Sequence, residues 1–397
     1  MKKAMDIARI RAETPCRTVY LDHTAASVPP APVFTAMRTY LDEVEEMGPK
    51  GFALIERHYR QLEGARSAIA RLIGGAGPDT IALFTSGSEA IAAAANALPW
   101  RTGDEIIISD AEMISNVAPW LRIRDRFGVR IRVAPLAEPG VVDVDRLESM
   151  LSDRTRLISM THVANSLGLM QPLEQVGQLA RAAGSLFMID AAASVGVMPV
   201  DVQDLQCDLL AASGRKYLRG PAGSAFLYCR REVVSQMEPM AFGWKSGSWD
   251  WNAQTLTFLP GAARFHSGEP NFGPWIGLGA AVSYALEIGI DPIAQRVREL
   301  SAALIDRLAA LPNVRLVGPE DVALRNGIIL VDVVDVHPKV AADFLQARGV
   351  VAEGGHGYAP GPLRVNGVQM ALRLALHYWN TIEELDLVVG LLAKLKY

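Results

Sequence analysis

Along the chain, short uninterrupted apolar runs alternate with longer stretches in which apolar positions recur every three or four residues. Seven runs of the first kind, at 80–84, 105–109, 129–136, 156–161, 186–190, 209–213 and 224–229, predict strands. Because they alternate with helical stretches along the chain, they predict a mainly parallel sheet covered on both faces, and so an α/β fold. Between them, 144–151 and 173–183 read as helices, the second with Leu173, Val176, Leu179 and Ala180 forming a core-facing stripe. The alanine-rich stretch 90–97 is a further helix. Over 239–277 the pattern gives way to Gly, Pro, Trp and Ser, a stretch too long for an idle connection, which predicts active-site or subunit contacts. Beyond it, 276–311 reads as one helical run, 326–334 as a strand, and Thr381-Ile382-Glu383-Glu384 as the capping box of a closing helix. The expected organisation is an N-terminal arm (1–18), a large domain (19–275) and a smaller α/β domain (276–397).

A chain of 397 residues exceeds what one hydrophobic core usually organises, in keeping with two domains. Half the residues are hydrophobic and 21% charged, and 39 Lys and Arg against 43 Asp and Glu give a net charge of −4 without a basic run, so nucleic acid is not an expected partner. The first residues carry charges throughout, and no apolar window reaches the roughly 18 residues of a membrane span, which makes a cytoplasmic, membrane-free location the expectation. The three cysteines, Cys16, Cys207 and Cys229, are too far apart for a disulfide framework or a metal-ligand spacing, and no metal is expected.

The chemistry concentrates at the ends of the predicted strands. Asp190 closes the run Phe187-Met188-Ile189-Asp190, and Lys216 follows the next one in Ser213-Gly214-Arg215-Lys216. A carboxylate and an amine delivered this way suit pyridoxal 5'-phosphate: the acid keeps the pyridinium nitrogen protonated, and the lysine forms a Schiff base with the aldehyde. Thr85-Ser86-Gly87-Ser88-Glu89 follows the strand ending at Phe84 and opens the alanine-rich helix. It offers small residues and free amides at a positive helix end, a place for the phosphate, although a serine there is also an ordinary helix cap.

With these three elements in this order the chain resembles the class-V aminotransferase-fold enzymes, in particular the branch of cysteine desulfurases, selenocysteine lyases and isopenicillin N epimerase-like proteins. The resemblance covers 19–395. It extends to Tyr20-Leu21-Asp22-His23-Thr24-Ala25-Ala26-Ser27, Thr161-His162-Val163-Ala164-Asn165-Ser166-Leu167-Gly168, Arg264-Phe265-His266-Ser267-Gly268-Glu269-Pro270-Asn271 and Ala371-Leu372-Arg373-Leu374. It implies the aspartate-aminotransferase fold type and catalysis by Lys216 and Asp190. Cofactor contacts are implied from Ser86, Gly87, Ser88, Asn165, Asp190, Ser213, Arg215 and Lys216. Arg373 is implied to clamp the substrate α-carboxylate, as suits a planar guanidinium. Asn165, His23 and His356 are implied as further substrate contacts. A homodimer with shared sites is also implied, the stretch 268–271 lying near the partner's phosphate.

Where the chain departs from its relatives, the reaction comes into view. Tyr358 of Gly354-Gly355-His356-Gly357-Tyr358-Ala359-Pro360 stands where desulfurases carry the cysteine that holds a persulfide, which a phenol cannot do. Glu353 replaces a common arginine, and Ile114 falls where relatives place a histidine over the cofactor ring. The Arg215-Lys216 pair resembles C–S lyases of thiol-histidine biosynthesis. The expectation is therefore a pyridoxal-phosphate lyase that eliminates sulfur from Cβ of an amino acid or S-conjugated amino acid. Epimerisation or decarboxylative deamination of the same substrate class is the alternative, and sulfur mobilisation the third reading.

Overall fold

The computed structural model describes residues 5–355 and 359–395. All seven expected strands form one sheet, in the order Ile81–Phe84, Ala225–Cys229, Leu209–Ser213, Leu186–Asp190, Thr155–Thr161, Glu105–Ser109 and Arg130–Ala134. Neighbours run parallel except Ala225–Cys229, which is antiparallel to both of its neighbours. The side-chain period of two divides each strand between two cores. From Leu186–Asp190, Phe187 and Ile189 enter one apolar cluster with Ile69, Leu210 and Phe226, while Met188 enters the other with Ala94, Ile106 and Leu227. The last strand is shorter than expected, ending at Ala134 on the sheet's edge, where Arg130 and Val133 are exposed.

The helices begin where short polar side chains can cap them. Ser86 accepts from the amide of Glu89 ahead of Gly87–Ala97, and Asp143 from that of Arg146 ahead of Val144–Met150. Thr381 and Glu384 form the expected capping box before Ile382–Leu392.

The run 276–311 is not one helix. It divides into Phe272–Ile288 and Ile290–Ala309, bent 79° apart at Gly289. Gly289 sits at φ 94°, in the region glycine alone enters readily. Phe272, Trp275, Ile276, Leu278 and Val282 pack into the core beneath the large sheet, so that packing unit continues past 275 and ends at the bend. Beyond it, Val314–Val317, Ile328–Val333, Leu372–Ala375 and Glu353–Gly354 make a four-stranded antiparallel sheet. Ile290–Ala309, Pro338–Gln346 and Ile382–Leu392 pack against it. This smaller unit also takes up the start of the expected large domain: Val19–Tyr20 pairs in parallel with Val350–Val351, and Asp22 bridges to Ala375.

Within 239–277 lies a hairpin, Gly247–Asp250 with Thr255–Phe258. It carries Trp249 and Trp251, 41% and 82% exposed, with Trp244 nearby in sequence at 65%. Among the described residues no single helix is long and apolar enough to cross a membrane, and no cluster of His, Cys, Asp and Glu is arranged to hold a metal.

Candidate active site

Three parallel strands end side by side, with Thr161 opposite Asp190 and Asp190 opposite Ala211. The carboxyl ends of such strands are where α/β sheets open a crevice, since the helices that follow diverge to opposite faces. Asp190 is 8% exposed and accepts the Ala192 amide at 3.0 Å. Burial raises its pKa, and the charge of Lys216 and that amide work against the rise. Lys216, 9% exposed, shows the converse: burial lowers its pKa, Asp190 opposes this, and the charges of Arg373 and Arg215 add to it. A desolvated lysine beside other cations holds its proton less tightly, as a nucleophilic amine requires.

The turn that delivers Lys216 is tightly built. The amide of Gly214 donates to Ser224 O at 2.9 Å, that of Gly220 to Gly214 O at 2.8 Å, and that of Arg219 to Lys216 O at 2.9 Å. A Cβ on Gly214 would lie 2.3 Å from Ser224 Oγ and 2.8 Å from Leu278 Cδ1, so only glycine allows the two backbones this close.

The helix Gly87–Ala97 starts against this turn, for a Cβ on Gly87 would come within 3.6 Å of the Ser213 amide nitrogen. Ser86 caps it at 3.1 Å, Ser88 donates to Ser115 Oγ at 2.9 Å, and Glu89 holds both the amide and the hydroxyl of Thr85. The structure thus brings Ser86, Gly87, Ser88 and Ser213 together at a helix N-terminus, where first-turn amides lack intrahelical acceptors. Arg215, next to Lys216, is exposed.

Arg373 enters from the smaller sheet and is 3% exposed. Its Nη1 donates to Asn165 O at 3.2 Å, and its Nη2 to Asp22 Oδ1 at 3.1 Å and Glu353 Oε2 at 3.5 Å. Burial raises the Asp22 pKa, Arg373 pulls it down, and Glu353 pushes it up again. Asp22 was not among the residues singled out by sequence, although the segment around it was. Its partner is 351 positions away, a pairing that no local pattern announces.

A second carboxyl missed by sequence reasoning is Glu112. It accepts from Ser109 Oγ at 2.5 Å, Asn116 Nδ2 at 2.7 Å and the Thr161 amide at 2.9 Å. Burial, resisted by those three donors, raises its pKa to about 7, with the charge of Asp190 adding to the rise. Ile114, in the neighbouring 3-10 turn Ile114–Asn116, is 49% exposed.

Two of the histidines expected at the substrate fare differently. His23 is 0% exposed, shares a 2.6 Å hydrogen bond with Ser27 Oγ, and meets Tyr20, His377 and Trp379 edge-on. Burial and the charge of Arg219 lower its pKa to about 3. A ring enclosed in this way is neutral, and its Nε2 is buried without a protein partner. His356 and Tyr358 lie outside the described residues. Within the stretch expected at the subunit boundary, Arg264 is buried on the carbonyls of Met237, Leu259 and Ser235, whereas Asn271 donates to Gly223 O at 3.0 Å.

The residues fit pyridoxal phosphate. His162 Nδ1, Asn165 Oδ1, Ser166 Oγ and Arg373 Nε are all buried without a protein partner. Buried polar atoms are seldom left unpaired, and so many on the two segments that meet at this crevice mark groups reserved for a ligand. Asp190, Lys216 and the helix N-terminus supply an acid for a ring nitrogen, an amine for an aldehyde and amides for a phosphate.

Comparison with known proteins agrees with this geometry. Residues 19–388 match the aminotransferase class-V family. A probable cysteine desulfurase of Methanothermobacter thermautotrophicus is 33% identical over 376 residues, covering 93% of this chain and 92% of the relative. The apo structure of a cysteine desulfurase from Thermococcus onnurineus superposes with a TM-score of 0.92 at 28% identity, covering 99% of both chains. A cysteine desulfurase structure from Escherichia coli does so with a TM-score of 0.90 at 27% identity, covering 98% of both.

Proposed function

The chain belongs to the class-V aminotransferase family of pyridoxal-phosphate enzymes, and from that premise we propose that it is a C–S β-lyase, cleaving the Cβ–S bond of an S-substituted L-amino acid and releasing the sulfur on a small molecule. The observation that carries this reading is the placement of its three thiols. Cys207 and Cys229 are 2% and 0% exposed, and burial raises the pKa of both. Such thiols are inert small hydrophobes. Cys16 lies in the N-terminal segment, half-buried and 3.4 Å from Thr18 Oγ1. The sequence from Glu353 to Pro360 contains Tyr358 and no cysteine.

Bound at this site, pyridoxal phosphate would supply an electron sink for negative charge at Cα. Arg373 would orient the substrate by its carboxylate, its buried Nε–H having no protein acceptor. The Asp190 carboxylate holds a proton on the ring nitrogen. Lys216 Nζ would bond the cofactor aldehyde in the resting enzyme and, when free, would take the Cα proton. The Cβ–S electron pair then leaves with sulfur, which takes up a proton as a thiol. The other product, 2-aminoacrylate, is hydrolysed by water to pyruvate and ammonia. Two chains with mutually completed sites fit the exposed tryptophans of the 247–258 hairpin.

The desulfurase names of relatives with 33% identity favour a second reading, in which sulfur is mobilised from cysteine and Cys16 serves as acceptor. Products separate the two. Given an S-alkyl-L-cysteine, a β-lyase forms pyruvate, ammonia and the free thiol in equal amounts. Alanine in place of pyruvate, from cysteine itself, sinks the lyase reading and installs the second.

A further inference from the structure

We propose that Arg219 is a positioning residue for Lys216: its guanidinium ties the turn that carries the lysine to the N-terminal segment and to the stretch of chain just beyond Arg373. This rests on the reading of Lys216 as the residue that bonds the cofactor aldehyde.

Two unfavourable features meet at Arg219, which closes the Lys216 turn. Its backbone is left-handed, at φ 58°, where any residue but glycine is strained. Its side chain is buried, at 1% exposure, and among the described residues its acceptors are one carbonyl and two hydroxyls, with no carboxylate. Burying a cation on neutral acceptors is costly, and an apolar side chain would serve stability better. Strain of this kind gathers where a site has to be held in one geometry.

The partners of the guanidinium show what is held. Nε donates to Val28 O at 2.9 Å, Nη2 to Thr14 Oγ1 at 2.6 Å, and Nη1 to Tyr378 Oη at 2.7 Å. The group also lies over the rings of Tyr378 and Trp379, 5.2 and 5.7 Å from their centres. Thr14 in turn donates to Ile10 O at 2.8 Å, which brings in the helix Ile7–Ala12.

The stretch around Tyr378 meets the lysine turn a second time. His377 Nδ1 accepts the Tyr378 amide at 2.9 Å, which leaves the ring hydrogen on Nε2, and Nε2 donates to Tyr217 O at 2.9 Å. Burial and the charges of His23 and Arg219 lower the His377 pKa well below the ordinary value, so the ring stays neutral and keeps this arrangement. On the other side of Lys216 the Ser27 amide donates to Arg215 O at 2.7 Å. Tyr378 follows the strand Leu372–Ala375, which carries Arg373. Arg219 thus fixes the amine-bearing turn relative to the strand of the carboxylate clamp.

The test uses the full chain freed of cofactor, and two ligands. Pyridoxine 5'-phosphate lacks the aldehyde and reports binding alone, followed by quenching of protein fluorescence. Pyridoxal 5'-phosphate also bonds Lys216 and gains absorbance near about 410–430 nm, followed by stopped flow. Arg219→Gly keeps the left-handed backbone accessible, and Arg219→Met keeps an unbranched side chain. In both, affinity for pyridoxine phosphate should stay within about twofold of native while bond formation slows about tenfold, since a small misplacement of the amine is enough. Arg219→Lys, which cannot reproduce the fork of donors, and Tyr378→Phe, which removes one acceptor, should each slow it about threefold.

Native rates in Arg219→Gly and Arg219→Met overturn the proposal. So does a parallel loss of affinity for pyridoxine phosphate, which marks a general loss of structure. If circular dichroism shows those two variants unfolded, Arg219→Lys and Tyr378→Phe decide: native rates in both overturn the proposal, and slower bond formation with unchanged pyridoxine phosphate binding upholds it. An absorbance band that persists in Lys216→Ala removes Lys216 as the bonding residue, and the proposal with it. Rates that fall as expected while the native holoenzyme forms no pyruvate from an S-alkyl-L-cysteine leave the positioning role standing and remove the lyase.

Discussion

Arg373 Nη2 donates to Asp22 Oδ1 across 3.1 Å, tying the N-terminal segment to the last strand of the smaller sheet. Both side chains are largely shielded from water, at 4% and 14% exposure. Breaking a buried pair costs about 3–5 kcal/mol when the survivor is left alone. Here Glu353 and Asn165 O remain on Arg373, so Asp22→Ala should cost less, about 2 kcal/mol in denaturant unfolding. It should also raise KM more than it lowers kcat, because the clamp loses its aim. Arg373→Ala should reduce kcat/KM by about 2–4 kcal/mol, roughly 30- to 1000-fold, with little rescue from Arg373→Lys. Steady-state kinetics check both, and an unchanged KM in either variant removes Arg373 from the substrate.

Glu112 makes stability depend on pH in the direction opposite to a salt-bridged acid. Its folded pKa, about 7, stands above the ordinary 4.5, so between these values the folded state binds more protons than the unfolded one. The contribution is fully present below about 4.5 and is lost as pH rises through about 7, by up to about 3 kcal/mol. Glu112→Gln should flatten this part of the curve. Unfolding midpoints measured from pH 5 to 8 in both proteins give the answer, and parallel curves would exclude Glu112 as the source.

Much of this was legible in the sequence, because the signals concerned are local. Most strands of the large sheet are apolar runs, with Asp190 at the end of one and Lys216 just beyond another. The break at Gly289 was hidden because apolar residues continue on both sides, and only the positive φ, with its 79° bend, separates the helices. Asp22 and Glu112 were missed for another reason. Their meaning comes from partners brought by folding, Arg373 for one and the Thr161 amide for the other. The surroundings of His23 were hidden likewise: a histidine in a polar-looking motif gives no sign that Trp379 and His377 will enclose it.

Lys216 and Asp190 should separate by colour. The protein purified with pyridoxal phosphate should absorb near about 410–430 nm through the cofactor's bond to Lys216. Lys216→Ala should lose that band while still binding some cofactor through the helix N-terminus. Asp190→Ala should keep cofactor yet lose most turnover. Protein that stays colourless after cofactor is added sinks both assignments.

The tryptophan hairpin should mark an interface. Trp251, 82% exposed in the single chain, is costly to leave in water. Light scattering should report a dimer at micromolar concentration, and Trp251→Lys with Trp249→Lys should weaken it. A fully active monomer contradicts the shared-site arrangement.

The most direct test of sulfur elimination without a protein thiol carrier is turnover by an enzyme without cysteine, Cys16→Ser with Cys207→Ala and Cys229→Ala. Loss of buried thiols costs some stability, so folding is first verified by circular dichroism and cofactor content. With an S-alkyl-L-cysteine this variant should form pyruvate at close to the native kcat, and mass spectrometry of the native protein during turnover should find no added sulfur atom. A folded, cofactor-loaded variant that forms no product, or a persulfide on Cys16 of the native enzyme, contradicts it.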